Sequence, residues 1–362
     1  MFCFKCLPHL IFIINRFTIH LYMITLKELA AKCNVSIATV SNILNGKSNV
    51  SEKTKERILK VVQETGYKPN YMARILRAHK TNTVGIIIDD VGAFSSPQLI
   101  EGVLDILEAK GYKAIIETLR LYSKWGNKPD SAEYQKVVND SVEEMLSIKV
   151  DGIIFIAAHA HNIEYFTQNL DIPIVITYAY QDANTIPSIK IDDFESSYKL
   201  TQYLISKGHK KIAVIQGDST VRHEKDRLAG FEKALKEAGL ELDKELLEPG
   251  YWTREGGKEA CQKLFKRSKD FTCIFCFNDL MAAGVYDYLY ENKKVPGKDY
   301  AVAGFDNREM SAYLTPGLTT MEIPLGDIGR ESASVLLKKI DGKEIENLDI
   351  KIPCRLIERK SV

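Results

Sequence analysis

At 362 residues, with 45% hydrophobic and 27% charged residues, the chain has the size and composition of an ordinary soluble protein with two or three domains. Its formal net charge of +1 points to neither nucleic acid nor membrane, and no uninterrupted run of about 20 apolar residues is present to cross a bilayer. The charge is uneven, however. Residues 23–83 carry eleven lysines and arginines against four glutamates, which is +7, and such a basic segment favours contact with phosphate groups.

Residues 1–22 are apolar and aromatic, but Lys5, Pro8 and Arg16 interrupt them. A signal peptide is the functional alternative, yet the apolar run is poor and no cleavage site of small residues follows it. We therefore expect a start codon assigned too far upstream, with Met23 as the natural initiator.

The seven cysteines stand mostly inside apolar runs, as Cys273 and Cys276 do. With no second pair and no histidine partner at metal-ligand spacing, they indicate buried thiols in a reducing cytoplasm. We expect neither a metal nor a cofactor.

Helix start signals recur three times between residues 23 and 69. Thr25 and Glu28 form a capping box before apolar residues that are spaced as one face of a helix. Ser36 can cap a second helix, Ile37–Leu44, and Ser51 opens a third. Three helices of this length predict a helix-turn-helix module, in which the second helix enters the major groove of DNA. A generic helical cap is the alternative.

The same segment closely resembles the headpiece of the lactose-repressor (LacI) family. The matching motifs are Thr25–Ala30, Val35–Ser41, Asn45-Gly46, Val50-Ser51 and Gly66–Asn70, followed by Ala73–Arg77 and Lys80–Gly85, which resemble the hinge helix and the start of the core. The resemblance covers residues 24–359. It implies a headpiece at residues 23–69, a hinge helix and linker at 70–81, and a two-lobed effector-binding and dimerisation domain at 82–362, after a non-native extension at 1–22.

In the LacI family, the hinge helices of a dimer form on DNA and insert a leucine into the minor groove, and the resemblance implies that role for Leu76. Packing of Leu76 within a linker is the alternative. Asn42 departs from a number of relatives, which carry arginine; because asparagine pairs with adenine and arginine with guanine, the preferred half-site is expected to differ. The predicted DNA-binding residues are Thr25, Leu26, Ser36, Ile37, Ala38, Thr39, Ser41, Asn42, Asn45, Ser51, Thr54, Tyr67, Asn70, Ala73, Leu76 and Arg77.

From Val84 onward, apolar runs alternate with helical patterns, which is typical of parallel βα units. The predicted strands are Val84–Ile88, Lys113–Glu117, Gly152–Ala157, Ile174–Thr177, Lys211–Gln216, Cys273–Phe277, Tyr300–Gly304 and Ile350–Ile357. The predicted helices are Gln98–Lys110, Ser131–Leu146, Phe194–Lys207, Asp226–Ala238, Glu255–Phe265 and Leu280–Asn292. The fold class is therefore α plus α/β: a three-helix headpiece with a hinge helix, then parallel sheets in two lobes, like a periplasmic binding protein.

Polar side chains follow several predicted strands, where parallel sheets bind their ligands. Asn278, Asp306 and Tyr178 each stand just past a strand, Arg227 lies near the start of a helix, and Trp252 lies in a loop. An arginine, a carboxylate, an amide and an aromatic face suit a sugar or another polyhydroxyl ligand. Each residue also has a structural alternative, since Asn-Asp pairs cap helices and a lone tryptophan is commonly a core residue.

The resemblance implies effector contact for Arg227, Trp252, Asn278 and Asp306. The first lobe matches less specifically, and we expect its wall of the cleft to come from Ala93–Pro97, with Ser95, and from Tyr178. His159 and His161 have no assigned role and are expected in a surface loop. The connection Leu119–Ser131 is expected to be solvated, although an exposed Trp125 could touch effector or a partner.

The predicted function is a cytoplasmic DNA-binding transcription regulator, a homodimer on a palindromic operator, whose DNA affinity changes when a small molecule shifts the two lobes. A sugar or sugar derivative leads among effectors, and repression is commoner than activation in the family. With no heptad segment after Ile357, a tetramerising coiled coil is not expected.

Two rival functions follow from the same pattern. A periplasmic-type sugar-binding protein is the main alternative, and the basic headpiece argues against it. An enzyme is not expected, because phosphate loops, dinucleotide fingerprints and nucleophile elbows are absent from the sequence. A sugar hydrolase would need two carboxylates at a suitable separation, which sequence cannot measure.

Overall fold

The structure, a computed structural model, describes residues 24–44, 50–67, 80–126, 131–164, 166, 171–219, 221–268 and 270–362. The chain divides after Lys80 into two compact units. The first unit contains the helices α1 (Leu26–Lys32), α2 (Ile37–Leu44) and α3 (Glu52–Thr65). Its core is formed by Leu29, Ala30, Cys33, Val40, Ile43 and Ile58.

Local signals fix the helix ends of the first unit. The capping box at α1 is confirmed, since the Thr25 hydroxyl accepts the N–H of Glu28 while the Glu28 carboxylate accepts the N–H of Thr25. At α2 the hydroxyl of Ser36 accepts the N–H of Thr39 at 3.1 Å. Helix α3 ends at Gly66, whose φ of 62° is the left-handed conformation that glycine adopts without strain.

The second unit contains twelve named strands and nine named helices among its described residues. In chain order the strands are β1 (Thr83–Ile88), β2 (Lys113–Thr118), β3 (Gly152–Ile156), β4 (Ile174–Thr177), β5 (Ser188–Ile191), β6 (Ile212–Gln216), β7 (Leu247–Pro249), β8 (Cys273–Cys276), β9 (Ala301–Ala303), β10 (Thr320–Glu322), β11 (Asp349–Ile352) and β12 (Arg355–Ile357). The helices are α4 (Ser96–Ala109), α5 (Leu121–Trp125), α6 (Ala132–Ser147), α7 (Asp193–Ser206), α8 (Arg222–Glu237), α9 (Arg254–Arg267), α10 (Asp279–Glu291), α11 (Met310–Tyr313) and α12 (Leu325–Ile340). Among the helices described, none is long and apolar enough to span a bilayer.

Two parallel sheets define two lobes. The first lobe has six strands in the order β11-β5-β4-β3-β1-β2, and the second has four in the order β7-β6-β8-β9 beside the antiparallel pair β10-β12. Helix α12 packs on α4 and on the middle strands of the first sheet, while α7 packs on α8 and α9 on α10 in the second lobe. The chain passes between lobes three times: after β5, before α12, and between β11 and β12.

The predicted strand Ile350–Ile357 is wrong, because the structure has two strands there. β11 pairs with β5 in the first lobe, and β12 pairs with β10 in the second. Pro353 stands between them and lacks the N–H that a continuing ladder needs. The N–H of Cys354 donates to the hydroxyl of Ser196 at 3.2 Å, outside either ladder.

The sequence pattern did not predict helix α12 or the short strands β5, β7 and β10. Gly326 and Gly329 in its first turns lower helix propensity, which hid its periodicity. Gly329 is needed for packing, since a Cβ there would lie 2.2 Å from the carbonyl oxygen of Leu99 in α4. The close approach of the two helix backbones, rather than intrinsic helix propensity, therefore explains why a glycine stands at this position.

Candidate DNA-binding face and ligand-binding cleft

Helix α2 has one buried and one exposed side. Val40 and Ile43 are buried, whereas Ile37, Ala38 and Asn42 are exposed and Thr39 and Ser41 are half-buried. The exposed side carries small, apolar and amide groups without a charge, which can approach base edges closely. Of the other predicted DNA-binding residues, Thr25 and Ser51 are exposed and Leu26, Thr54 and Tyr67 are half-buried, and Thr25 and Ser36 serve as helix caps. Asn45, Asn70, Ala73, Leu76 and Arg77 lie outside the described residues.

In the second unit, the carboxyl ends of strands from both sheets line one cavity. It has a volume of about 390 Å³, which lies within the usual range for small-molecule sites of about 300–1,000 Å³. The cavity is lined by Phe94, Tyr122, His159, Tyr178, Asp218, Val221, His223, Arg227, Tyr251, Trp252, Thr253, Asn278, Leu280, Asp306 and Arg308. Five of the six predicted effector-binding residues are in this set. The sixth, Ser95, is fully buried at the N-terminus of α4, and its neighbour Phe94 lines the cavity instead.

Arg227 is the centre of a buried ionic network. Helix α8 begins at Arg222, four residues earlier than predicted, so Arg227 lies within the helix and is only 3% exposed. Its Nε donates to Asp193 Oδ1 at 2.8 Å, its Nη1 donates to the carbonyl oxygen of Phe277, and the same Nη1 lies 4.0 Å from Asp306 Oδ1. Burial disfavours its charge, but Asp193 and Asp306 outweigh that effect and raise the pKa of Arg227.

Asp193 is shared between two basic side chains. Besides Arg227, the imidazole Nδ1 of His223 contacts the other carboxylate oxygen of Asp193. Burial alone would raise the pKa of Asp193, but His223 and Arg227 together hold it below its usual value. Asp193 is the first residue of α7, directly after the first crossing between the lobes. Arg227 and Asp306 form the floor of the cavity. Through Asp193, the network connects this floor to the segment that crosses between the lobes after β5.

Asp306, which lines the cavity, lies close to a second buried carboxylate, that of Asp279. Asp279 Oδ1 accepts the hydroxyl of Thr320 at 2.6 Å, and Oδ2 accepts the N–H of Arg308 at 2.7 Å. Burial, with the nearby charge of Asp306, raises the pKa of Asp279 to about 8. Burial also raises the pKa of Asp306, although Arg227 and Arg308 oppose the shift. The Arg308 Nε donates to Asp306 Oδ2 at 3.2 Å, so Asp306 has a guanidinium on each side.

Trp252 and Asn278 hold each other in place. The Asn278 side chain donates to the carbonyl oxygen of Trp252 at 3.0 Å and accepts the N–H of Met281 at 2.8 Å, which caps α10. The indole packs on Gly217, where a Cβ would lie 1.8 Å from the ring. The centroid of the indole lies 5.7 Å from the guanidinium carbon of Arg227. Asn278 is thus a helix cap and a cavity-lining residue at once.

Four cavity residues hold positive φ angles, which bulky side chains rarely adopt. They are Tyr178 (65°), Tyr251 (53°), Trp252 (65°) and Asp306 (117°). Such conformations cost of order 1–3 kcal/mol each and concentrate at ligand sites. Their clustering around one cavity indicates that the chain is folded to present these side chains.

The wall from the first lobe corrects two expectations. His159 is half-buried and lines the cavity, and His161 is buried with its Nδ1 2.8 Å from the carbonyl oxygen of His159, so neither is in a solvated surface loop. Residues 121–125 of the connection form the helix α5, whose Tyr122 also lines the cavity, while Trp125 packs on the first-lobe core. His159 comes just after the predicted strand Gly152–Ala157 and so carried the same signal as Asn278 and Asp306, whereas only the fold brings Tyr122, in a separate helix, to the strand ends.

Two family profiles match the chain. "Bacterial regulatory proteins, lacI family" matches residues 25–70, and "Periplasmic binding proteins and sugar binding domain of LacI family" matches residues 129–360. The chain belongs to the LacI family. It is accordingly a DNA-binding transcription regulator rather than an enzyme, and the alternative of a periplasmic-type protein without a DNA role is not favoured.

Individual LacI-family proteins are similar to this chain over almost its whole length. Catabolite control protein A of Priestia megaterium is 31% identical over 342 residues, which are 93% of this chain and 99% of that protein. A structure of the transcriptional regulator CelR in complex with cellobiose is 26% identical with a TM-score of 0.64, covering 94% of this chain and all of that one. The lac repressor dimer bound to operator and the anti-inducer ONPF is 22% identical with a TM-score of 0.77, covering 93% and 98%, and shows the shared fold.

Proposed function

We propose that this LacI-family chain is a cytoplasmic homodimeric repressor that binds a palindromic DNA operator and releases or engages it in response to a sugar. One observation carries the proposal: the same chain has an exposed, uncharged face on α2 in its first unit and, in its second unit, a cavity whose floor is a buried arginine and a carboxylate. A sugar is favoured because that floor can exchange hydrogen bonds with hydroxyl groups and Trp252 adds an aromatic face. The CelR–cellobiose complex supports this ligand class.

In the proposed DNA complex, α2 lies in the major groove. Its exposed residues Ile37, Ala38 and Asn42 contact base edges, and the caps Thr25 and Ser36 lie near phosphates. Residues 70–81 act as the hinge, with Leu76 as the minor-groove wedge. The remaining DNA contacts are proposed for Leu26, Thr39, Ser41, Asn45, Ser51, Thr54, Tyr67, Asn70, Ala73 and Arg77.

In the proposed sugar complex, Arg227, Asp306 and Asn278 bind hydroxyl groups while Trp252 stacks on a sugar face. Tyr178 and Phe94 contribute from the first lobe, and the buried Ser95, whose side chain makes no capping hydrogen bond, is next to Phe94 in the chain at the start of α4. Both walls are therefore required for tight binding. A ligand that contacts both lobes stabilises the lobe arrangement in which those contacts are made.

The start of the second unit is well placed to transmit such a shift. The carboxylate of Asp151 accepts the N–H groups of Thr81 and Asn82 at 2.8 and 2.7 Å and the hydroxyl of Thr81 at 3.0 Å. These bonds fix residues 81–82, at the end of the proposed hinge, to the first lobe. Movement of the first lobe thus displaces the end of the hinge segment, and DNA and effector affinities are coupled by the same factor in both directions.

Selection of binding sites from random double-stranded DNA by the full-length chain tests the proposal. A two-fold symmetric sequence should be enriched, because a symmetric dimer presents two identical headpieces. Asn42→Ala should weaken the selected site by about 1–3 kcal/mol and relax preference at one base pair of each half-site. Asn292→Ala, an exposed asparagine beyond α10, is the matched control. Recovery of no enriched sequence, or of one that lacks symmetry, would refute the proposal.

A further inference from the structure

The cavity wall contributed by the first lobe is built from ring-bearing side chains. Phe94, Tyr122, His159 and Tyr178 line it, opposite the floor of Arg227 in the second lobe. We propose that Tyr122 and His159 form a second sugar-ring subsite, so that the effector is an uncharged saccharide of two rings. This inference rests on the proposed function, because it names the ligand class of the same cavity.

Tyr122 and His159 form one compact unit. Their ring centroids lie 4.4 Å apart and the ring planes are inclined at 65°, which is an edge-to-face arrangement. Tyr122 keeps 43% of its surface exposed within a cavity that can accept a ligand. An aromatic face held in this way stacks on the C–H face of a sugar, while the phenol and the imidazole exchange hydrogen bonds with its hydroxyls.

A single buried carboxylate holds both segments of this subsite. Asp89 Oδ1 accepts the N–H of Tyr122 and Oδ2 accepts the N–H of Ala158, each at 3.2 Å. The next residue, Asp90, accepts the N–H of Ser123 at 2.8 Å. Helix α5 and the loop after β3 are therefore fixed to the end of β1, which makes Asp89 a positioning residue for the ring pair.

The charges that line the cavity balance. The lining residues include two arginines, Arg227 and Arg308, and two aspartates, Asp218 and Asp306, and both arginines lie within 4.0 Å of Asp306. Arg227 is bound to Asp193 as well. Burial and the charge of His223 lower the pKa of His159 to about 4, so the imidazole is neutral near pH 7. A phosphorylated or acidic sugar would have to displace these carboxylates, which disfavours an anionic effector.

The aromatic residues exceed what one sugar ring can use. Tyr122 stands on the first-lobe side, and Tyr251 and Trp252 stand on the second-lobe side of a cavity of about 390 Å³. Phe94 is already covered, because the Arg308 guanidinium lies 4.0 Å from its ring centroid. A single pyranose has only two faces. With Tyr178, four aromatic side chains remain beside the separate polar floor, and they therefore fit a ligand with a second ring.

Calorimetric titration of the full-length protein tests the subsite. The probes are the neutral disaccharides cellobiose, maltose, lactose and sucrose, their component monosaccharides, and glucose 6-phosphate. A neutral disaccharide should bind at least tenfold more tightly than its monosaccharides and than the phosphate. Tyr122→Ala should reduce that affinity at least tenfold and leave monosaccharide affinity within twofold, whereas Tyr122→Phe should restore most of it.

Tyr290→Ala removes an exposed tyrosine of α10 that does not line the cavity, and it should bind as the wild type does. A monosaccharide or glucose 6-phosphate as the tightest ligand, equal affinity of Tyr122→Ala and the wild type, or binding of no probe would overturn the subsite. An operator response to a different ligand would then retain the proposed regulator. Loss of operator selection itself would overturn the proposed function.

Discussion

Replacing Arg227 by methionine should destabilise the second lobe strongly. The guanidinium is 3% exposed, so water screens its interactions little, and methionine preserves the apolar bulk against Phe305, whose ring centroid lies 3.6 Å from the guanidinium carbon. The change leaves Asp193 buried with only His223 as a basic partner. Removing one member of a buried ion pair typically costs about 3–5 kcal/mol, and we expect a loss of free energy of unfolding in this range.

Urea unfolding followed by tryptophan fluorescence measures this loss. The chain has two tryptophans, so a Trp125→Phe background leaves Trp252 as the reporter beside Arg227. Arg330→Met is the matched control, because Arg330 forms exposed ion pairs with Asp327 and Asp105 and its loss should cost no more than about 1 kcal/mol.

A second variant tests the cause of the effect. Adding Asp193→Asn to Arg227→Met removes the carboxylate that has lost one of its two basic partners, so the double variant should be more stable than the sum of the single losses by about 0.5–3 kcal/mol. Strictly additive losses, or a loss below about 1 kcal/mol for Arg227→Met, would refute the argument that this ionic network stabilises the lobe.

Three further outcomes follow from the structure. Gly329→Ala should lower the free energy of unfolding in urea by about 1–3 kcal/mol, because its Cβ would lie 2.2 Å from the Leu99 carbonyl oxygen. Gly326→Ala is the control and should be neutral or slightly stabilising, because its Cβ would meet only the guanidinium of Arg330 at 3.3 Å. Equal effects of the two variants would contradict the packing argument. The pKa of Asp279 is raised to about 8, so its proton is bound more tightly in the folded state and the free energy of unfolding falls as pH rises from about 4 to about 8. Asp279→Asn should reduce the difference in free energy of unfolding between pH 5 and pH 8. An unchanged difference would exclude Asp279 as its source. Asp151→Ala should weaken the effect of ligand on operator affinity more than it weakens either binding alone, because residues 81–82 lose their link to the first lobe; coupling equal to that of the wild type in gel-shift titrations would rule out this route.

Local sequence determined the headpiece and most of the sheet. Thr25 with Glu28 and the glycine at position 66 place helix ends through bonds to their own neighbours, and runs such as Gly152–Ile156 are apolar throughout, which is typical of a strand buried on both faces. Three cavity residues, Tyr178, Asn278 and Asp306, were predictable from local sequence as well, since a polar residue after a parallel strand lies at the edge where ligands bind, whereas Arg227 and Trp252 were expected there from the family resemblance.

Only the tertiary structure decided the rest. Helix α12 depends on Gly329, which is a weak helix former in sequence and a close-packing residue in space, and Pro353 divides one apolar run between two lobes. His159 follows a predicted strand, whereas Tyr122 lies in a segment with no local signature, and a carboxylate more than thirty residues away from each in the chain sets the positions of both segments. Contacts between residues distant in sequence, rather than local propensity, therefore formed the first-lobe wall of the cleft.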